Sequence, residues 1–121
     1  MKSGQIYYIN FQGNKGSEIN KIHLGIIYCI PKVSNLVFCI PLTSPKEKHF
    51  KTKIDYINRN HLELKYQNLV YIKETDSIAL LDQIKTISIQ RIIKKYSKEL
   101  LDNTKKLLTT KLLKYMANIL I

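Results

Sequence analysis

Residues 22–42 read IHLGIIYCIPKVSNLVFCIPL: two apolar runs of strand length, residues 22–30 and 36–42, parted by Pro31, Lys32, Val33, Ser34 and Asn35. Both runs are rich in β-branched and aromatic residues and the break between them is short, which predicts an antiparallel hairpin. A turn centred near Ser34 sets Cys29 opposite Cys39 and Gly25 opposite Thr43, and those four share one face. Side chains alternate, so His23 lies on that face as well, diagonal to Thr43 at about 7–8 Å and within reach of a long side chain. Gly25 has no side chain to cover the Thr43 hydroxyl, which predicts a shallow recess at the open end of the hairpin. A recess beside lysines suits a phosphate. A histidine in an apolar strand is more often a satisfied structural residue, and geometry alone favours that reading over a site. The facing cysteines approach disulfide distance, but in a reducing compartment two buried thiols are expected.

Outward from the hairpin, residues 5–11 form a further strand, and the polar, Gly-bearing residues 12–21 a loop. Residues 43–53 carry Lys46, Lys48, Lys51 and Lys53 with His49 among them and only Glu47 in opposition, which predicts a basic loop running into a strand. Such lysines also serve as a solvated edge that resists sheet-to-sheet pairing. Residues 55–65 read as a short helix, and 68–72 and 77–89 as strands. After Ser97, taken as an N-cap with Glu99 in the first turn, Leu100, Leu101, Thr104, Leu107, Leu108, Leu112 and Tyr115 recur at helical spacing. This predicts an amphipathic C-terminal helix packed on the sheet or on a second subunit. At 121 residues the chain is expected to be a single domain, spanning 1–121.

Twenty basic residues against nine acidic ones give a formal charge of +11, which favours a polyanionic partner: RNA, DNA or an acidic protein. All the basic residues but Arg59 and Arg91 are lysines, and Ile and Asn are also abundant, so codon bias accounts for part of the excess. Glu does not rise to match Lys. The two cysteines are too few for a disulfide framework and no charged start leads into an apolar run, so a cytoplasmic location is expected. Asp102, Lys105, Lys106, Lys111 and Lys114 interrupt the Leu-rich C-terminus, which argues against a membrane span. Histidines at 23, 49 and 61 give no zinc-ligand spacing, no P-loop or dinucleotide fingerprint occurs, and no cofactor or metal is expected. RNA carries its own nucleophile, the 2'-hydroxyl, so its cleavage needs only a base, an acid and donors to the phosphate. Histidine, hydroxyls and lysine suffice.

Four motifs stand in order along the chain: Gly4-Gln5-Ile6-Tyr7-Tyr8-Ile9-Asn10-Phe11, Gly16-Ser17-Glu18, Pro41-Leu42-Thr43-Ser44 and Leu81-Asp82-Gln83-Ile84-Lys85-Thr86-Ile87. Over residues 4–91 the sequence resembles the MazF/PemK toxins of bacterial toxin-antitoxin systems. The resemblance implies an α+β, mainly β fold, an SH3-like twisted β-barrel with a C-terminal helix, usually homodimeric. It implies a metal-independent endoribonuclease on single-stranded RNA, neutralised by an antitoxin and yielding a 2',3'-cyclic phosphate and a 5'-hydroxyl. Thr43 matches the family's threonine, while His23-Leu24 stands where the family has a catalytic Arg-Pro pair. The implied catalytic set is His23, Thr43, Ser44 and His49, with Lys46 and Lys48 supplying positive charge. Gln83 and Lys85 match the segment that lines the RNA groove, and Glu18 the acidic loop residue beside the site. An imidazole in place of the guanidinium either makes activity steeply pH-dependent or leaves a weak enzyme. The run from Pro41 to Lys46 is also similar to ToxN-type toxins, which are inhibited by RNA, so the antitoxin is either protein or RNA.

Two other readings compete. A CcdB-like gyrase inhibitor resembles the same fold, but the Trp that family has near its C-terminus is absent here. A non-catalytic RNA-binding barrel would keep the basic groove without cutting.

Overall fold

The computed structural model describes residues 1–11, 22–32 and 35–120. Strands β1 (Gln5–Asn10), β2 (Ile22–Cys29) and β3 (Leu36–Thr43) are followed by a 3₁₀ turn (Glu47–His49) and helix α1 (Lys53–Asn58). Strands β4 (Leu69–Ile72) and β5 (Ser77–Leu80) lead through a 3₁₀ turn (Leu81–Gln83) to β6 (Lys85–Ser88), β7 (Ile92–Glu99) and helix α2 (Asp102–Leu120). The fold is thus the expected mainly antiparallel sheet with a C-terminal helix. Its strands run in the order β4-β5-β3-β2-β1-β7, with β6 attached to β3. No described pairing joins β4 to β7, so the expected barrel is an open sheet.

β3 organises the molecule because it changes partner along its length. One edge pairs with β2; on the other, residues 36–39 pair with β6 while Leu42 and Thr43 pair with β5. Pro41, which has no N–H to give a ladder, stands at the change. Alternation along the strands then fills two cores on opposite faces. Ile6, Ile26, Ile40 and Leu42 pack with Leu108 and Leu112 of α2. Ile9, Phe11, Ile27, Val37, Cys39 and Ile78 form the second cluster.

The hairpin register differs from the sequence expectation by two residues. Gly25 faces Pro41 and Ile27 faces Cys39, and a bulge then brings Cys29 against Phe38. The even shift keeps His23, Gly25 and Ile27 on the predicted face while changing their partners, and the bulge turns Cys29 to the other face. Cys39 is buried and Cys29 exposed, and both are free thiols. They are neither facing nor both buried, as the sequence reading had them. Burial pushes the Cys39 thiol up to about 12, against the opposing pull of the Lys85 charge. The expected recess at Gly25 is closed: a Cβ built there would lie 2.7 Å from Ile9 Cδ1 and 3.4 Å from Phe11 Cζ. Glycine is present because two core side chains occupy the space above it. Gly25→Ala is therefore expected to lower stability by about 1–3 kcal/mol, the usual cost of overpacking, measured by urea denaturation.

Elsewhere the differences are local. The helix expected over 55–65 is α1, capped by Thr52 Oγ1, which accepts from the Asp55 amide at 3.0 Å, and ended by Arg59 in the left-handed region with φ 55°. Residues 77–89 break into β5, a turn and β6. Ser97 belongs to β7 and does not cap α2; the helix is capped from another part of the chain. Glu74 accepts from the Leu101 amide at 2.8 Å and from the hydroxyl of buried Thr104 at 3.1 Å. Of the helix residues read as apolar, Leu108 and Leu112 are buried, whereas Leu101, just before the helix, is 58% exposed.

At the β4–β5 turn, Asp76 Oδ1 accepts from the Tyr71 hydroxyl at 2.7 Å and from Arg59 Nε at 2.9 Å. Tyr71's hydrogen bond, with help from the hydrogen bond and charge of Arg59, holds this carboxyl below its usual range against the opposing effect of burial. A depressed folded value stabilises above the ordinary carboxylate pKa of about 4 and is lost as pH falls through the lower value. The melting-temperature advantage of the native chain over Asp76→Asn is accordingly expected at pH 6 and to shrink below about pH 4.

Candidate active site

The site grows from the C-terminal end of β3. Thr43, half-buried, closes the strand opposite Ile78, and exposed Ser44 follows it. Lys46 and His49 then clasp each other: the Lys46 amide donates to His49 Nδ1 at 3.0 Å, and the His49 amide donates to the Lys46 carbonyl at 2.9 Å. Because Nδ1 accepts, the hydrogen of the neutral imidazole sits on Nε2. The His49 ring is buried, so the turn fixes it in place.

His23 lies on β2, half-buried and opposite Ile9 of β1. The described register of β2 with β3 reaches Gly25 and Pro41. His23 and Thr43 stand two residues further along their strands, on the same face as that pair. On this face the side chains of Ile9, Ile27 and Cys39 enter the second core.

A cavity of about 240 Å³ opens beside the 3₁₀ turn. Leu69 and Leu80, members of the second core, form part of its lining. Three predicted residues, Lys48, His49 and Gln83, meet there. They are joined by four that carried no predicted role: Lys65, Tyr66, Asn68 and Asp82. Backbone pairing delivers these neighbours. Phe50 bridges Leu64, and the Lys65 amide donates to the His49 carbonyl at 2.9 Å. Asn68 accepts through its carbonyl from the Leu81 amide at 2.9 Å, while its side-chain amide donates to Asp82 Oδ1 at 2.8 Å. Asp82 sits in the Leu81–Ile87 motif and so was visible in sequence; nothing local marked Tyr66 or Asn68.

Other predicted residues lie apart from the cavity lining. Lys85 is half-buried on β6 opposite Cys39, and Lys46 is exposed at the start of the turn. Glu18 lies outside the described residues. One cation unremarked in sequence lies at the same end of the sheet as His23. Arg91 Nη1 donates to the Asn10 carbonyl at 3.4 Å, and the neighbouring Ile92 flanks Ile9 on the side away from His23. Among the described residues no group of three or more His, Cys, Asp or Glu could hold a metal ion. No described helix is long and apolar enough to cross a membrane.

The antiparallel sheet with its C-terminal helix is a fold also seen in solved structures. One such structure, an endoribonuclease in complex with its cognate antitoxin from a mycobacterial species, has a TM-score of 0.65 at 14% identity, covering 97% of this chain and 95% of that one. At that identity the likeness establishes the fold. Among curated proteins, none matches this chain in sequence. The model of the PemK-like, MazF-like toxins of type II toxin-antitoxin systems matches residues 2–116, and the chain belongs to this family.

Proposed function

We propose that this toxin is a metal-independent endoribonuclease that cuts single-stranded RNA at the end of β3. The observation that carries the proposal is the gathering of Thr43, Ser44 and His49 along one short segment, with His23 on the same face of the neighbouring strand. His23 takes the proton of the 2'-hydroxyl, whose oxygen forms a bond to phosphorus as the bond to the 5'-oxygen breaks. Thr43 and Ser44 donate to the non-bridging oxygens, where charge gathers in the transition state. His49 carries its hydrogen on Nε2 and donates a hydrogen bond to the departing 5'-oxygen, which takes its proton from solvent water. The products are a 2',3'-cyclic phosphate and a 5'-hydroxyl. Lys46, Lys48, Gln83, Lys85 and Glu18 contribute to RNA binding, and the working form is a cytoplasmic homodimer neutralised by an antitoxin.

The test is incubation with mixed-sequence RNA in excess chelator, with the ends analysed by mass spectrometry. Cyclic phosphate ends are expected. Intact RNA, or cleavage that persists when the 2'-hydroxyl at the cut is replaced by hydrogen, overturns the mechanism. The closed space over Gly25 favours a second reading, in which the same charges bind RNA without cutting it. That reading predicts salt-sensitive binding with no products and indifference to Thr43→Ala.

A further inference from the structure

An aromatic ring at the mouth of a polar cavity calls for an explanation. Tyr66 is 58% exposed and lines the cavity, and the ammonium of Lys65 lies 5.8 Å from its ring centroid. Its position is set by the backbone pairing that ties Lys65 to His49 and Asn68 to Leu81. A flat ring held at a fixed distance from a phosphate-handling turn is suited to stacking a base, and the neighbouring ammonium adds attraction for the backbone. The carboxylate of Asp82 and the side-chain amide of Asn68 line the same cavity and are joined to each other. One N–H of the Asn68 side chain is given to Asp82, and the pair brings the second carboxylate oxygen of Asp82 and the amide oxygen of Asn68 to the cavity lining as acceptors. Acceptors fit the exocyclic amino groups of cytosine, adenine and guanine and oppose the carbonyl oxygens of uracil.

We infer that Tyr66, Asn68 and Asp82 form a subsite for one nucleobase of the RNA strand, stacked on Tyr66 and selected for an exocyclic amino group. The inference rests on the RNA reading above and adds to it a source of base preference.

Decamers of 2'-O-methyl cytidine, adenosine and uridine, which lack a free 2'-hydroxyl to attack, test the subsite by fluorescence anisotropy. The native chain is expected to bind the cytidine and adenosine decamers about fivefold or more tighter than the uridine decamer. Tyr66→Ala weakens binding of all three by about five- to a hundredfold, whereas Tyr66→Phe keeps it, because stacking needs the ring and not the hydroxyl. Asn68→Ala removes the preference for amino-bearing bases while leaving uridine binding in place. Tyr66 is exposed, so an unchanged melting temperature for Tyr66→Ala separates lost stacking from lost folding. Equal binding by native chain and Tyr66→Ala overturns the subsite and leaves the ribonuclease reading standing. Equal affinity of the native chain for all three decamers overturns the selection. A native chain that binds none of them overturns subsite and RNA reading together.

Discussion

Replacing His23 with glutamine is expected to lower the rate of RNA cleavage by about 10²–10⁴-fold, the range a positioned general acid or base contributes. Glutamine keeps hydrogen-bonding capacity at similar length but moves no proton near neutral pH, so the pH–rate profile flattens along with the fall in rate. His23 shares its face of β2 with Gly25, and the paired strand β3 ends at Thr43. Cleavage of a fluorogenic RNA from pH 5 to 9 reads both effects. A variant within twofold of the native rate rules out proton transfer by this side chain. His23→Arg then decides between the two remaining roles of position 23. A permanently charged guanidinium raises the rate if the residue mainly binds phosphate, and lowers it if the residue works by giving and taking a proton.

The second large effect concerns stability. Leu108→Ala is expected to cost about 2–5 kcal/mol, because the side chain is fully enclosed and its removal leaves a void that neighbours on both the helix and the sheet cannot all reach. Leu108 is 1% exposed and packs with Ile6, Ile26, Ile40 and Leu112. The comparison variant is Leu113→Ala, whose side chain is 64% exposed, and which is expected to stay within about 0.5 kcal/mol of the native chain. Chemical denaturation followed by far-ultraviolet dichroism measures both. Equal midpoints for the two would mean that α2 is not anchored by its buried stripe.

How much of this was legible in the sequence differs from element to element. The strands of the central hairpin were, since their apolar runs are uninterrupted and the turn is short. Their pairing was off by two: Cys29 and Phe38, next to the turn, are already one residue out, and the bulge between Ile27 and Cys29 adds a second that residue counting cannot detect. The shift is even, so His23 and Thr43 kept a common face although the recess expected between them is filled by Ile9 and Phe11. β7 was not read as a strand because only Ile92 and Tyr96 along Ile92–Glu99 are even half-buried, and a single covered face interrupted by lysines gives a weak alternation. The start of α2 was misplaced for a different reason. A serine before a leucine-rich run is a good local cap signal, but the groups that satisfy this helix come from Glu74, 27 residues before Leu101. The cavity was half legible: Lys48 and His49 stand in the basic loop and Gln83 in a motif, whereas Tyr66 and Asn68 arrive through the Phe50–Leu64 bridge, a contact between segments with no shared pattern.

The change of partner along β3 also bears on how the molecule comes apart. One strand is common property of both halves: its first residues hold β6, its last hold β5, and β2 pairs with Phe38–Pro41 on its other side. Neither hydrophobic layer can be peeled away without stripping the strand that backs the other. Loss of structure should thus be all-or-none, with no half-melted form that keeps the end of β3 while shedding the rest.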